Sequence, residues 1–333
     1  MSIYVIFTGG TIGSSNTDNV ISTDSFVQEY FISKYKEKFI SEDCFKCVYP
    51  YSILSENLDA EHLLLLINTV KDVLKNDDVQ GIIINHGTDT LQYTSAVLSY
   101  IFSCCDTPIL LVSSNYVLSD PRANGLINFH CAVRFINEVH KSGVYVSYKN
   151  DNDIPYIHMG ARLDAPLLFS ADISSVKDTW FAKYANDMFV LNDIYNDMSN
   201  KISLFTSFDD ISLFTLAQNI IMWIKPYPGM SYVKPTENTK AVLHESFHSG
   251  TIAINDELKS FANECKRMNI PMYITGLEEN EAVYDNVIEY IKLGFIPLYG
   301  CSPIAIYCKL WLSLCNNLEV SENIKNCVAF DMI

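Results

Sequence analysis

The sequence predicts an α/β protein built on mostly parallel sheet, laid down as two consecutive series of strand–helix units. Three observations carry this prediction. Apolar runs of strand length alternate with helix-length runs through the first half, the rhythm of strands joined by helical crossovers. The runs Ile3-Tyr4-Val5-Ile6-Phe7 and Ile82-Ile83-Ile84 are continuous rather than alternating, as in strands covered on both faces. A second βα series follows a polar stretch around residue 200.

Taken in order, the strand Ile3–Phe7 runs into the glycine loop Thr8-Gly9-Gly10-Thr11-Ile12-Gly13. Phe26, Val27, Tyr30 and Phe31 are spaced for a helix, and Phe45 to Ile53 reads as a strand. Asp59 is placed to cap a helix carrying Leu63, Leu66, Ile67, Val70 and Leu74. The strand Val79–Ile84 leads into Asn85-His86-Gly87-Thr88-Asp89-Thr90, then a helix through Leu91 to Phe102. Pro108 introduces the strand Ile109–Val112, a helix covers Leu126 to Val139, and Val144–Tyr148 is a further strand. From about Asn186 to Asp210 the chain is rich in Asn and Asp and reads as a connection. Beyond it come the strand Ile220–Ile224, the turn Pro226-Tyr227-Pro228-Gly229-Met230 and the strand Ala241–Leu243. A helix over Asp256–Arg267, a strand Pro271–Ile274, and helices near Tyr284–Leu293 and Pro303–Leu314 complete the series. The expected division is 1–190, a linker 191–212, and 213–333.

Composition bounds the partners. The 333 residues are 49% hydrophobic and 19% charged, ordinary for a globular protein of two domains. A net charge of −16 argues against nucleic acid and anionic membranes, which require basic surfaces. No basic n-region precedes the first strand and no apolar run reaches membrane-spanning length, so a cytoplasmic location is expected. Ten cysteines without a secretion signal read as reduced, buried thiols. Cys44-Phe45-Lys46-Cys47 has redox or zinc spacing but no matching second pair, and Cys308 and Cys315 fall on one helix face. His158, His244 and His248 lack metal-binding spacing, and neither metal nor cofactor is expected.

The chemistry concentrates in the two threonine-bearing loops. Loops leaving the carboxyl ends of neighbouring parallel strands converge on one crevice, where ligands bind. Glycines let backbone N–H groups approach a ligand, and the loops add hydroxyls and one carboxylate, Asp89. These are the parts that acyl transfer through a threonine nucleophile needs. Together, in this order, the two segments resemble the signature motifs of the bacterial-type L-asparaginase family, which includes glutaminases and asparaginase-like amidotransferase subunits. The resemblance runs through nearly the whole chain. Pro226–Met230 is similar to the family's Tyr-Pro-Gly segment, and Ser302–Leu310 to its C-terminal helix, where a capping hydroxyl precedes Ala, Lys and Leu.

The resemblance implies a flavodoxin-like N-terminal catalytic domain, a smaller C-terminal α/β domain, and hydrolysis of L-asparagine or a related small side-chain amide. Thr11 matches the nucleophile, and Thr88 with Asp89 the relay group. Gly10, Gly87, Ser55, Glu56 and Asp89 match substrate-binding positions, with Ser55 and Glu56 facing the α-carboxylate and α-amino groups. Helix capping is the alternative reading for Thr11, and a plain polar turn is equally open for Glu56. His86 shapes its loop. A homodimer or homotetramer is implied, with sites at subunit junctions. An amidotransferase subunit is not expected, because those carry a domain ahead of the first strand.

Several positions depart from the family pattern. After Arg162 the family places a lysine three or four residues on, completing the relay; here stand Leu163, Asp164, Ala165 and Pro166. The loop Ser14–Phe26 lacks the family tyrosine, Asn124-Gly125 replaces Asp-Gly, and Thr251 replaces an asparagine. Arg162, Lys141 and Lys149 are the cations that could stand in for the lysine. A weakly active amidohydrolase is therefore weighed against a silent ligand- or protein-binding homologue and a hydrolase for another amide or ester.

Overall fold

Hydrogen bonding on both sides of a buried apolar strand organises the larger sheet. β1 (Ser2–Phe7) is buried along its whole length and lies between β4 (Phe45–Val48) and β5 (Val79–Asn85), parallel to both. β6 (Pro108–Val112) and β7 (Gly143–Lys149) extend the parallel run beyond β5. In this computed structural model the described residues are 1–10, 14–17, 20–23, 25–103, 105–197, 220–279, 282–316 and 318–333. The order β4-β1-β5-β6-β7 places a topological switch beside β1, where the chain turns from building outward on one side to building on the other.

Helices α2 (Ala60–Leu74) and α3 (Leu91–Ile101) cover one face of this sheet; α1 (Ser25–Phe39) and α4 (Gly125–Glu138) cover the other. Ile82 and Ile84 enter the first core and Ile83 the second, which is why the run is uninterrupted. Asp59 caps α2 as expected, its Oδ1 accepting from the His62 N–H at 2.9 Å.

Three antiparallel strands extend the sheet where the sequence shows no strand pattern: β8 (Pro155–Met159), β9 (Ala182–Ala185) and β10 (Met188–Leu191). β9 and β10 form a hairpin around Asn186 and Asp187, both at positive φ, as a two-residue turn requires. β10 and the short helix α5 (Ile194–Asp197) thus occupy the start of the stretch expected to be a connection; the rest of that stretch falls within residues 198–219, which lie outside the described residues. A small hairpin, β2 (Ser14–Thr17) with β3 (Val20–Thr23), follows the first glycine loop.

A second, wholly parallel sheet holds β11 (Ile221–Ile224), β12 (Ala241–Glu245), β13 (Met272–Leu277) and β14 (Phe295–Tyr299), in that spatial order. α6 (Asp256–Arg267) matches its expected bounds, and with α7 (Asp285–Lys292) it packs on one face. α8 (Pro303–Cys315) packs on the other face and also against α3 of the first unit; α9 (Val320–Asn323) follows it. Cys308 and Cys315 share the inward face of α8, but Cys44 is exposed and Cys47, Cys105 and Cys327 are half-buried, so burial does not explain every thiol. Cys44 and Cys47 sit at the edge strand β4, three residues apart in extended chain, a spacing too long to bridge.

Buried charge joins the two units. Arg162 is fully buried and donates to the carbonyls of Gly300, Phe330 and Asp331 at 3.1–3.3 Å, to the Val176 carbonyl at 3.2 Å, and to Thr179 Oγ1 at 2.8 Å. Asp331 pairs with Lys309 on α8 at 2.7 Å and accepts from the Tyr100 hydroxyl on α3 at 2.9 Å. The Ser302 hydroxyl, expected to cap α8, instead donates to the Leu163 carbonyl at 2.6 Å, across the junction.

Two other buried groups make stability depend on pH. Burial lowers the His158 and His244 rings to about 4, the Glu245 carbonyl opposing the shift at His244. Both rings are neutral in the fold, whereas unfolded histidine gains its proton near pH 6.5. Their contribution is therefore complete above pH 6.5 and is lost as the pH falls toward 4, at most about 3 kcal/mol per ring. Urea unfolding across pH 8 to 4.5 should show this loss, and His244→Gln should remove about half of it. An unchanged pH profile in that variant would contradict the assignment.

Candidate active site

Three loops meet at the carboxyl ends of β1 and β5, on the switch point. β1 ends at Phe7, but its pairing continues: the Thr8 N–H donates to the Asn85 carbonyl at 3.2 Å, the Ile53 N–H to the Thr8 carbonyl at 3.1 Å, and the Gly10 N–H to the Ile53 carbonyl at 3.1 Å. The Thr8 hydroxyl also donates to the Asn85 carbonyl, at 2.8 Å. The segment 53–57 is thereby drawn over the end of β1, although the strand it follows stops at Val48.

Glycine is what lets the loops close up. A Cβ on Gly9 would stand 2.2 Å from the Ile53 oxygen, and one on Gly10 would stand 2.5 Å from the Gly87 nitrogen. Both residues have positive φ, 105° and 73°. A Cβ on Gly87 would meet Ser55 Oγ at 2.4 Å. Gly10, Gly87 and Ser55, predicted separately as substrate-binding residues, are thus brought into one contact.

Ser55 opens a single 3₁₀ turn, Ser55–Asn57, and is itself buried. Its Oγ donates to Asp89 Oδ2 at 3.2 Å and accepts from the Asp89 N–H at 3.3 Å, while its carbonyl accepts from the Thr90 hydroxyl at 2.9 Å. Glu56 and Asp89 are exposed and Thr88 is half-buried. Thr11, the predicted nucleophile, lies outside the described residues. Thr90, already part of the second loop's motif, and Gln92, whose amide donates to the Asp89 carbonyl at 2.9 Å, belong to the same network; Gln92 carried no sequence signal beyond its place at the start of α3.

His86 holds its loop. Nδ1 lies 2.8 Å from the Gly87 carbonyl, which can only accept, so Nδ1 carries the proton and Nε2 accepts from the Thr94 hydroxyl at 2.9 Å. Burial lowers its pKa, with the Gly87 carbonyl opposing, and the ring stays neutral.

None of the expected stand-ins for the family lysine is seen to reach Asp89, which has no ion pair among the described residues. Arg162 is consumed by the junction, the Lys149 amine donates to the Asn150 carbonyl at 3.4 Å, and Lys141 lies over the Phe181 ring. Ala165 is exposed, at the start of a loop closed at its base by the Leu163–Ser175 bridge and by the Asp164 N–H donating to the Ser174 carbonyl. Among the described residues no cluster of histidine, cysteine and acidic side chains is arranged to hold a metal, and no helix is long and apolar enough to cross a membrane.

Residues 2–165 match the family model described as Asparaginase, N-terminal. The fold is that of the L-asparaginases from Thermococcus kodakarensis (TM-score 0.75, 19% identity) and Vibrio cholerae (L-asparaginase I; 0.75, 21%), each alignment covering 100% of this chain and 99% of the other. Among curated proteins the chain resembles a glutamyl-tRNA(Gln) amidotransferase subunit of Methanococcus maripaludis, 29% identical over 54% of this chain and 42% of that protein. It resembles the subunit of the same name from Sulfolobus acidocaldarius at 28% over 69% and 50%. The match spans half or less of either relative's length.

The glycine contact predicts its own test. Gly87→Ala should cost about 1–3 kcal/mol in urea unfolding, the range for forcing atoms into filled space. Adding Ser55→Gly should return part of that loss, because the two sites share the contact. A Gly87→Ala protein within about 0.5 kcal/mol of wild type, the scatter of an ordinary surface change, would refute the close approach.

Proposed function

We propose that the chain is an asparaginase-type amidohydrolase, splitting a small side-chain amide into its acid and ammonia. In this reading the Thr11 hydroxyl attacks the amide carbonyl, ammonia leaves, and water then hydrolyses the acyl-threonine ester. Thr88 and Asp89 take up and pass on the hydroxyl proton, while Ser55, Glu56, Gly10, Gly87 and Asp89 hold the substrate. The observation that supports it best is the joining of both glycine loops through Ser55, which bonds Asp89 at 3.2 Å. Such a site holds a carboxylate, hydroxyls and backbone donors at one crevice, the set an acyl transfer uses.

Turnover is proposed to be slow. A general base group supplies roughly a hundred- to ten-thousand-fold in rate, and the relay lacks a cation at Ala165. Arginine holds its proton too firmly to relay it, and Arg162 is committed elsewhere. A second reading, that the amide nitrogen is passed on rather than released, is favoured by the curated relatives, whose names are those of amidotransferase subunits.

An ammonia-release assay over asparagine, glutamine and related amides tests these statements together. Wild type should release ammonia slowly without an acceptor, Thr11→Ala should release none while staying folded, and Ala165→Lys should gain at least tenfold. Retained turnover in Thr11→Ala would exclude the covalent threonine, and no gain in a folded Ala165→Lys protein would exclude the lost relay.

The protein is also proposed to form a homodimer or homotetramer in the cytoplasm. Leu167, Leu168 and Phe169 on the 163–175 hairpin, Tyr284 just ahead of α7, and Ile288 and Ile291 along it are exposed apolar groups that assembly would cover. Light scattering should give at least twice the chain mass of 37.7 kDa; a monomer at micromolar concentration would count against it.

A further inference from the structure

We infer that the cavity between β14 and the segment 325–333 binds a zwitterionic amino acid with an apolar side chain, held between Glu279 and Lys325. The cavity lies in the second unit, apart from the glycine-loop crevice, and its ligand does not depend on the amidohydrolase reading.

An open strand edge forms one wall. β14 is the last strand of its sheet, and the Gly300 N–H that follows it donates to the Leu277 carbonyl at 3.1 Å, facing β13. Backbone groups alternate along a strand, which turns the Tyr299 N–H and carbonyl and the Pro297 carbonyl toward the open side. Pro297 has no N–H to offer there, and proline at an edge opposes the docking of a further strand. One end is closed instead by the chain itself: Cys301 pairs with Met332, and the Ile333 N–H donates to the Gly300 carbonyl at 3.3 Å. Cys327 Sγ donates to the Met332 carbonyl at 3.4 Å, which holds the facing wall in place. The space left is about 400 Å³, within the range of small-molecule sites and near its lower end.

Two charges of opposite sign face this space without a partner. Glu278, one residue earlier, is taken by Lys177, and Asp331 by Lys309. Glu279 and Lys325 line the cavity and enter no ion pair among the described residues, either with each other or with a neighbour. Pro297, Met332 and the buried Leu298 supply the apolar lining. A purely cationic ligand would meet Lys325 as a like charge, and an anionic one would meet Glu279. A neutral apolar ligand would leave both charges unanswered. A zwitterion answers both, with its ammonium on Glu279, its carboxylate on Lys325 and its apolar side chain over Leu298 and Met332. The open Tyr299 carbonyl and N–H add an acceptor and a donor for the same two groups. Such an occupant touches both ends of the segment 325–333, whose Phe330 and Asp331 carbonyls complete the shell of Arg162. Binding therefore also steadies the junction.

Leucine is the probe, with leucinamide lacking its carboxylate and 4-methylpentanoate lacking its ammonium. In calorimetric titrations of the full chain, leucine should bind about three- to fivefold tighter than either, the contribution of one exposed ion pair. Leucine should also raise the melting temperature as the site fills. Lys325→Gln should bring leucine and leucinamide within about twofold of each other, and Glu279→Gln should do the same for leucine and 4-methylpentanoate. Both side chains are exposed, so each variant should melt without ligand as wild type does. No leucine binding at about 10 mM, equal binding of the three compounds, or an unchanged preference in either variant would overturn the inference.

Discussion

The approach of Gly10 to Gly87 is the constraint from which the rest of the site follows. Two backbones pass with no room for a Cβ between them, so the loops after β1 and β5 are set relative to one another by main-chain contact rather than by side chains. Side chains can hop between rotamers, but a backbone seated this way cannot slide without losing hydrogen bonds on both sides. Thr8 shows the same logic: its N–H is taken by Asn85 and its carbonyl by Ile53, so the end of β1 is gripped from both neighbours. Ser55 then has little freedom left. It is buried, abuts Gly87, and exchanges two bonds with Asp89, which fixes where the exposed carboxylate of the crevice stands.

A second constraint acts at the far side. Among the described residues no carboxylate bonds the buried Arg162 guanidinium; its partners there are four backbone carbonyls and one hydroxyl. Burial opposes its charge, yet stripping any one acceptor would leave a buried donor unpaired. The carbonyls come from the turn after β14, the last residues of the chain and the segment after the 163–175 hairpin, so one side chain closes three pieces of chain on each other. Asp331 is satisfied separately by Lys309, Tyr100 and the Val328 N–H. Breaking one member of such a buried pair typically costs about 3–5 kcal/mol. The same α3 that carries Tyr100 begins at the site loop, so the junction and the crevice share a rigid helix.

How much of this was legible in the sequence follows from range. The continuous apolar runs gave β1 and β5, the Asp59 cap gave the start of α2, and α6 matched its expected bounds to the residue, all from local signals. The pairing of the two glycine loops was legible because topology brings strand ends together wherever parallel strands adjoin. β8, β9 and β10 were not: each is four or five residues long and held by sheet neighbours rather than by pattern, and the Asn186-Asp187 turn lacks the glycine that usually marks such hairpins. The Ser302 hydroxyl and the Arg162 hub were beyond reach for the same reason. The Ser302 hydroxyl finds its acceptor 139 residues away and Arg162 reaches one 168 away, and a polar side chain's local options say nothing about a distant carbonyl.

Scaffold and chemistry have therefore separated in this chain. Every feature that positions the crevice is backbone or buried: the glycines, Thr8, Ser55, neutral His86, the Arg162 hub. The features that would set what reacts there are exposed and free to differ, among them Glu56, Asp89 and Ala165. Packing penalises a change at Gly10 at once, whereas exchanging an exposed lysine for alanine leaves the core untouched. Likeness of fold consequently speaks to where a ligand sits and says little about which one. In this chain the exposed charges flanking Ser55, Glu56 and Asp89, are both acidic.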